Sequence, residues 1–158
     1  ALMFLNAWGC EVTAFTSNEA KKQESLDMGA SQTIDSTNPD EIESHANSFD
    51  LIISTADVKL DWSGYLNTLR PKGRLHFVGI PRQPLEIDVI SLLRGQKSVS
   101  ASPVGSPATM AKMLDFAAFH RIKPIVEEYP ISKIIDAVER LRIGTARYRV
   151  VINMNEAS

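Results

Sequence analysis

Phe49-Asp50-Leu51-Ile52-Ile53-Ser54-Thr55 is followed eighteen positions later by Gly73-Arg74-Leu75-His76-Phe77-Val78-Gly79. The first run is almost continuously apolar, as expected of a strand covered on both faces. The second is β-rich and opens on glycine. Residues 60–69 between them carry helical spacing, and Pro71-Lys72-Gly73 reads as a turn. Strand, helix and strand at this separation require a crossover, and crossovers join parallel strands. The class is therefore α/β, built on a parallel sheet.

The same rhythm continues in both directions. Upstream, residues 11–16 read as a strand and residues 18–28 as a helix closed by Gly29. Gln32-Thr33-Ile34-Asp35 reads as a short strand, and a helix runs from Pro39 to about Ala46 with proline in its first turn. Downstream, a helix near 89–94 leads to a strand over 97–102. After Pro107 the pattern changes to a helix reaching His120, a strand over 125–129, a helix over 132–143 and a strand over 148–152. Gly105-Ser106-Pro107 is the natural boundary, dividing the chain into residues 1–106 and 107–158. Ala1 to Gly9 reads as the latter part of a helix that stops at Gly9. It lacks an N-cap, which would leave amides without partners. The expectation is that earlier residues belong to this domain.

Composition narrows the chemistry. The chain has 158 residues, 44% of them hydrophobic, enough for a real core. A net charge of −2 argues against a nucleic-acid footprint, which would be basic. One cysteine, Cys10, can build neither a disulfide framework nor a closed thiolate metal site, so a reducing, cytoplasmic setting is expected. No apolar run reaches membrane-spanning length. Cys10, His45, His76 and His120 are scattered without metal-ligand spacing. His76 is expected in the core or half-buried, and Cys10 as a small hydrophobe.

The strand Glu11-Val12-Thr13-Ala14-Phe15 runs into Thr16-Ser17-Asn18, with Lys21-Lys22 one helical turn on. In a dinucleotide-binding sheet this strand end faces the adenosine ribose, where an acid would select NAD. Here stand two hydroxyls and a cation, a set that suits a 2′-phosphate. The same residues also suit a helix cap at Ser17 or Asn18 with solvated lysines.

Taken in order, these segments resemble the C-terminal part of a zinc-type medium-chain alcohol dehydrogenase, within the cinnamyl-alcohol-dehydrogenase-like, NADP-dependent branch. The resemblance rests on Thr16-Ser17 through Lys21, Leu26-Asp27-Met28-Gly29-Ala30 and Phe49 through Ala56. It continues through Leu69-Arg70-Pro71-Lys72-Gly73-Arg74-Leu75, Val78-Gly79, Ser102-Pro103-Val104-Gly105-Ser106 and Arg147-Tyr148-Arg149-Val150-Val151. It covers the whole chain. No single motif is specific; their order and spacing carry it.

The resemblance implies a Rossmann-like, doubly wound parallel sheet that is incomplete here, followed by a C-terminal α+β segment. The family's first strand, its Gly-rich phosphate loop and the domain with the zinc ligands would precede Ala1. The implied activity is hydride transfer between NADP(H) and a primary alcohol or aldehyde, with zinc as Lewis acid in the parent enzyme. This chain would supply cofactor positioning alone, through Thr16, Ser17, Lys21, Thr55, Ala56, Val78, Gly79, Ile80, Ser102, Pro103, Val104 and Arg147. No catalytic residue and no metal ligand is assigned to it, and by itself it is expected to be inactive. Pro103 has no N–H to offer the nicotinamide carboxamide, so another donor such as the Val104 amide is needed. Arg147 stands where the family often contacts the pyrophosphate. The strand over 98–102, small and β-compatible, is the expected edge of a homodimer. Two other readings stay open: a zinc-free, NADPH-using quinone-reductase-like member of the superfamily, and an isolated domain without a competent cofactor site. A small-molecule alcohol or aldehyde is the expected partner of the parent enzyme, with neither nucleic acid nor membrane.

Overall fold

The computed structural model describes residues 1–155; the last three residues of the expected segment 107–158 lie outside them. The chain divides into two compact units, the first ending at Met110.

The first unit holds helix α1 (Leu2–Ala7), strand β1 (Thr13–Thr16), α2 (Glu19–Asp27), β2 (Gln32–Asp35), α3 (Pro39–Ser44), β3 (Phe49–Ser54), α4 (Trp62–Thr68), β4 (Leu69–Phe77), α5 (Val89–Leu93) and β5 (Ser98–Ala101). Every strand pair is parallel. The strands form two ladders, β1-β2 and β3-β4-β5, and no hydrogen-bonded pairing joins β1 to β3. The hydrogen-bonded ladder is interrupted between β1 and β3.

Alternation within the strands builds the core. Leu75 and Phe77 of β4 point one way and are buried, as are Ile52 and Ser54, their partners on β3. Trp62, Tyr65 and Leu66 of α4 cover that face, with the Trp62 and Phe77 rings edge-to-face at 4.8 Å. Leu66, Leu69 and Leu75 are wholly buried, each worth roughly 1.5–3 kcal/mol of transfer free energy. The buried Thr68 hydroxyl donates to the Tyr65 carbonyl at 2.8 Å, so it costs no unpaired polar group. The Lys97 ammonium donates to the Leu66 carbonyl at 2.6 Å, near the C-terminal end of α4 where carbonyls lack helical partners. Burial pulls its pKa down.

Pro71-Lys72-Gly73 does not stand before the strand as a separate turn. β4 begins at Leu69, paired with Phe49, and the next pairs are Leu51 with Arg74 and Ile52 with Leu75. The intervening residues bulge out of the ladder. Lys72 takes a φ of 64° and its amide finds the Gly95 carbonyl at 2.7 Å. Pairing on both sides of the bulge makes one long strand of two.

Helix α6 (Pro107–Phe119) straddles the division between the units. In the second unit, β6 (Val126–Pro130) and β7 (Arg149–Asn153) pair in parallel. The chain between them forms a short 3-10 turn at Ile131–Lys133 and then α7 (Ile134–Arg142). Ala137 is its buried contact. The Glu127 carboxylate ties this unit together, accepting from the Arg140 guanidinium at 2.5 and 3.2 Å and from the Arg147 amide at 2.6 Å. These bonds, that to Arg140 foremost, hold its carboxyl below the usual range.

Among the described residues, no helix is long and apolar enough to cross a membrane.

Candidate functional site

The end of β1 shows which residues are occupied by the fold. Asn18 is the N-cap of α2, its side chain accepting from the Ala20 amide at 2.9 Å. The Thr16 hydroxyl is taken up in the same turn, accepting from the Asn18 amide at 3.2 Å. Lys22 is paired with Glu19 at 2.7 Å, a bond that raises its pKa. Among the described residues, no hydrogen bond or ion pair engages the Ser17 hydroxyl or the Lys21 ammonium. Asn18 therefore does the capping, and Ser17 and Lys21 remain available to a ligand. No acid follows the strand before Glu19, the first residue of α2.

The ends of β3, β4 and β5 bring the next candidates to one rim. Thr55 and Ala56 follow β3, Val78, Gly79 and Ile80 follow β4, and Ser102, Pro103 and Val104 follow β5. The three strands are adjacent and parallel, so these residues leave the sheet side by side, where open parallel sheets bind ligands. Val78, Ile80 and Val104 are exposed, Val104 by 92%. The Val78 and Gly79 amides both donate to the Ser54 carbonyl, at 3.0 and 3.2 Å. They are spent on the fold, so a ligand at Val78 and Gly79 meets side chains and carbonyls. Gly79 is also required by the protein itself, since a Cβ there would lie 2.8 Å from the Thr55 carbonyl.

Two features of this rim are not visible as motifs. Arg82 donates to the Asp57 carboxylate at 2.8 and 3.2 Å, latching the chain beyond β4 to the chain beyond β3. The half-buried His76 ring bridges Ser100 of the neighbouring strand and Ser102 just beyond its end, Nδ1 to Ser100 Oγ at 2.8 Å and Nε2 to Ser102 Oγ at 2.9 Å. His76 and Ser100 are register partners. The contact follows from strand register; spacing along one strand does not contain it.

Arg147 lies in the second unit, its amide fixed by Glu127. Cys10 is exposed, not packed as a small hydrophobe, because it follows the helix stop at Gly9 and precedes the first ladder pair. Among the described residues, no group of three His, Cys, Asp or Glu converges as a metal site requires.

Parallel strands joined by helices and ending side by side at one rim define a Rossmann-like α/β domain. A family model described as zinc-binding dehydrogenase matches residues 1–118, and the chain belongs to that family. It is 55% identical over 153 residues to aldehyde reductase AdhA of Synechocystis sp., covering 97% of this chain and 46% of that protein. It is 36% identical over 155 residues to cinnamyl alcohol dehydrogenase 7 of Oryza sativa subsp. japonica, covering 98% and 41%. Among solved structures, it resembles a cinnamyl alcohol dehydrogenase from Sorghum bicolor with a TM-score of 0.90 at 32% identity, covering 99% of this chain and 46% of that one. A cinnamyl alcohol dehydrogenase from Helicobacter pylori, complexed with NADP(H), gives a TM-score of 0.84 at 31% identity over 100% and 45%. The chain thus spans about half the length of the relatives it matches.

Proposed function

We propose that this chain is the cofactor-positioning part of an NADP-dependent alcohol dehydrogenase or aldehyde reductase. The observation that carries the reading is the Ser17 hydroxyl and Lys21 ammonium, left unengaged at the end of β1 where an NAD-selecting acid would stand. One donor and one cation match the oxygens and charge of a 2′-phosphate. The Helicobacter pylori relative supports the choice, having been solved with NADP(H).

When bound, NADP(H) supplies or accepts the hydride, and the protein orients it. Ser17 and Lys21 hold the adenosine end. Thr55, Ala56 and the apolar Val78 and Ile80 form a wall at the strand ends, held in shape by the Ser54 carbonyl and the Arg82–Asp57 latch. Ser102, Pro103 and Val104 would face the nicotinamide, and Arg147 is the candidate for the pyrophosphate. Among the described residues no group of ligands fits zinc, and on this reading the chain contributes cofactor positioning alone. On this reading the chain alone has no activity toward alcohols.

The test is cofactor affinity. A complete polypeptide carrying this chain is titrated with NADPH and NADH by fluorescence. Preference for NADPH is expected, and a preference for NADH refutes the reading.

A further inference from the structure

We infer that His76 is a positioning residue for the cofactor's nicotinamide end, acting through Ser102; this rests on the cofactor reading above. The segment leaving β5 has few means of holding its place. The Ser102 amide donates to the Phe77 carbonyl at 3.2 Å, the last rung of the ladder. Pro103 then offers no N–H, and Pro103, Val104 and Gly105 are all exposed. The Ser102 hydroxyl is the remaining anchor, and its partner is His76 Nε2 at 2.9 Å.

His76 is itself held. Its Nδ1 meets Ser100 Oγ at 2.8 Å, so the ring is clamped at both nitrogens. β4 places the ring by alternation: Leu75 and Phe77 enter the core, and His76 takes the opposite face beside Ser100 of β5 and Ser102, which follows it. A neutral imidazole has one donor and one acceptor nitrogen, so one serine donates to it and the other accepts. The Ser102 oxygen is thereby fixed in place, and its proton is committed to the ring only in the tautomer in which Nε2 accepts. What it presents to a ligand at the rim follows from the tautomer that Ser100 and Ser102 share with the ring.

Two substitutions separate this role from support of the sheet. An Asn side chain puts its polar atoms where Nδ1 stands and can keep Ser100, while losing Ser102. A Gln side chain reaches the Nε2 place and can keep Ser102. The probes are NADPH, which has a nicotinamide end, and 2′,5′-ADP, which lacks one. In a complete polypeptide carrying this chain, His76→Asn and Ser102→Ala should each weaken NADPH about three- to tenfold, the scale of one neutral hydrogen bond. The double variant should lose no more than either alone, because both remove the same bond. His76→Gln should bind NADPH nearly as the wild type, and 2′,5′-ADP should be unaffected throughout. Equal losses toward both probes, additive losses in the double variant, or identical behaviour of the Asn and Gln variants would overturn the inference. If the wild type bound neither probe, the cofactor reading would fall, and this one with it.

Discussion

A Cβ on Gly79 would lie 2.8 Å from both the carbonyl carbon and the carbonyl oxygen of Thr55, so the chain leaving β4 passes closer to the chain leaving β3 than any side chain allows. The obstructing atoms are backbone, which cannot swing aside as a flexible side chain could. Gly79→Ala is therefore expected to push the two strand ends apart at a cost of about 1–3 kcal/mol, the usual penalty of overpacking. Thermal unfolding followed by circular dichroism should show a lower midpoint. An unchanged midpoint would mean that the rim yields freely.

Lys21 and Lys22 are neighbours in sequence with different duties. Lys22 is spent on Glu19, and Lys21 is not. Lys21→Ala should cost about 1–3 kcal/mol toward NADPH, as expected for a charge-assisted hydrogen bond, and little toward NADH. Lys22→Ala should change neither much, since an exposed ion pair contributes little. Kinetics of both variants with both cofactors check this. Equal losses toward NADPH and NADH from Lys21→Ala count against the 2′-phosphate assignment.

Acid should loosen the second unit through Glu127. Its folded pKa is depressed below the ordinary value of 4.5, first by the Arg140 hydrogen bond and then by the Arg147 amide. A depressed carboxyl contributes stability that is complete above its unfolded pKa and is lost as pH falls through the folded one. The loss should therefore develop below about pH 4.5, where the unfolded carboxyl begins to take up its proton. Glu127→Gln should be less stable than the wild type at pH 7 and should show a flatter acid dependence. Some slope will remain, because Asp35 is likewise held low by hydrogen bonds from Thr37. Urea midpoints across pH 7 to pH 3 measure it, and parallel curves for the two proteins would defeat the assignment.

β5 lies at the end of its ladder, paired with β4 alone. The Ser102 amide points to β4, so by alternation the Ala101 amide points outward. If a second copy pairs along this strand, Ala101→Pro removes an outward donor and leaves the inner ladder intact. Light scattering should find a dimer for the wild type of the complete polypeptide and a monomer for the variant. A monomeric wild type would exclude this edge as an interface.

The sequence alone determined the α/β class, the order of the elements and the grouping of Thr55, Gly79 and Ser102 at strand ends. These follow from apolar periodicity, prolines and glycines, which act within a few residues along the chain. It also marked the turn after β1 as a site for a charged ligand, although it could not say which residue would cap the helix. Tertiary structure decided that Asn18 caps and Ser17 stays available, because the cap depends on which side chain meets the Ala20 amide. It turned Pro71-Lys72-Gly73 into a bulge inside β4, since pairing with β3 resumes beyond it. It gave Gly79 to the Thr55 backbone and joined His76 to Ser102, contacts between residues 24 and 26 positions apart. No local pattern encodes such contacts. They arise from strand register, which is set when the faces bearing Leu75, Phe77 and Ile52 are buried against α4.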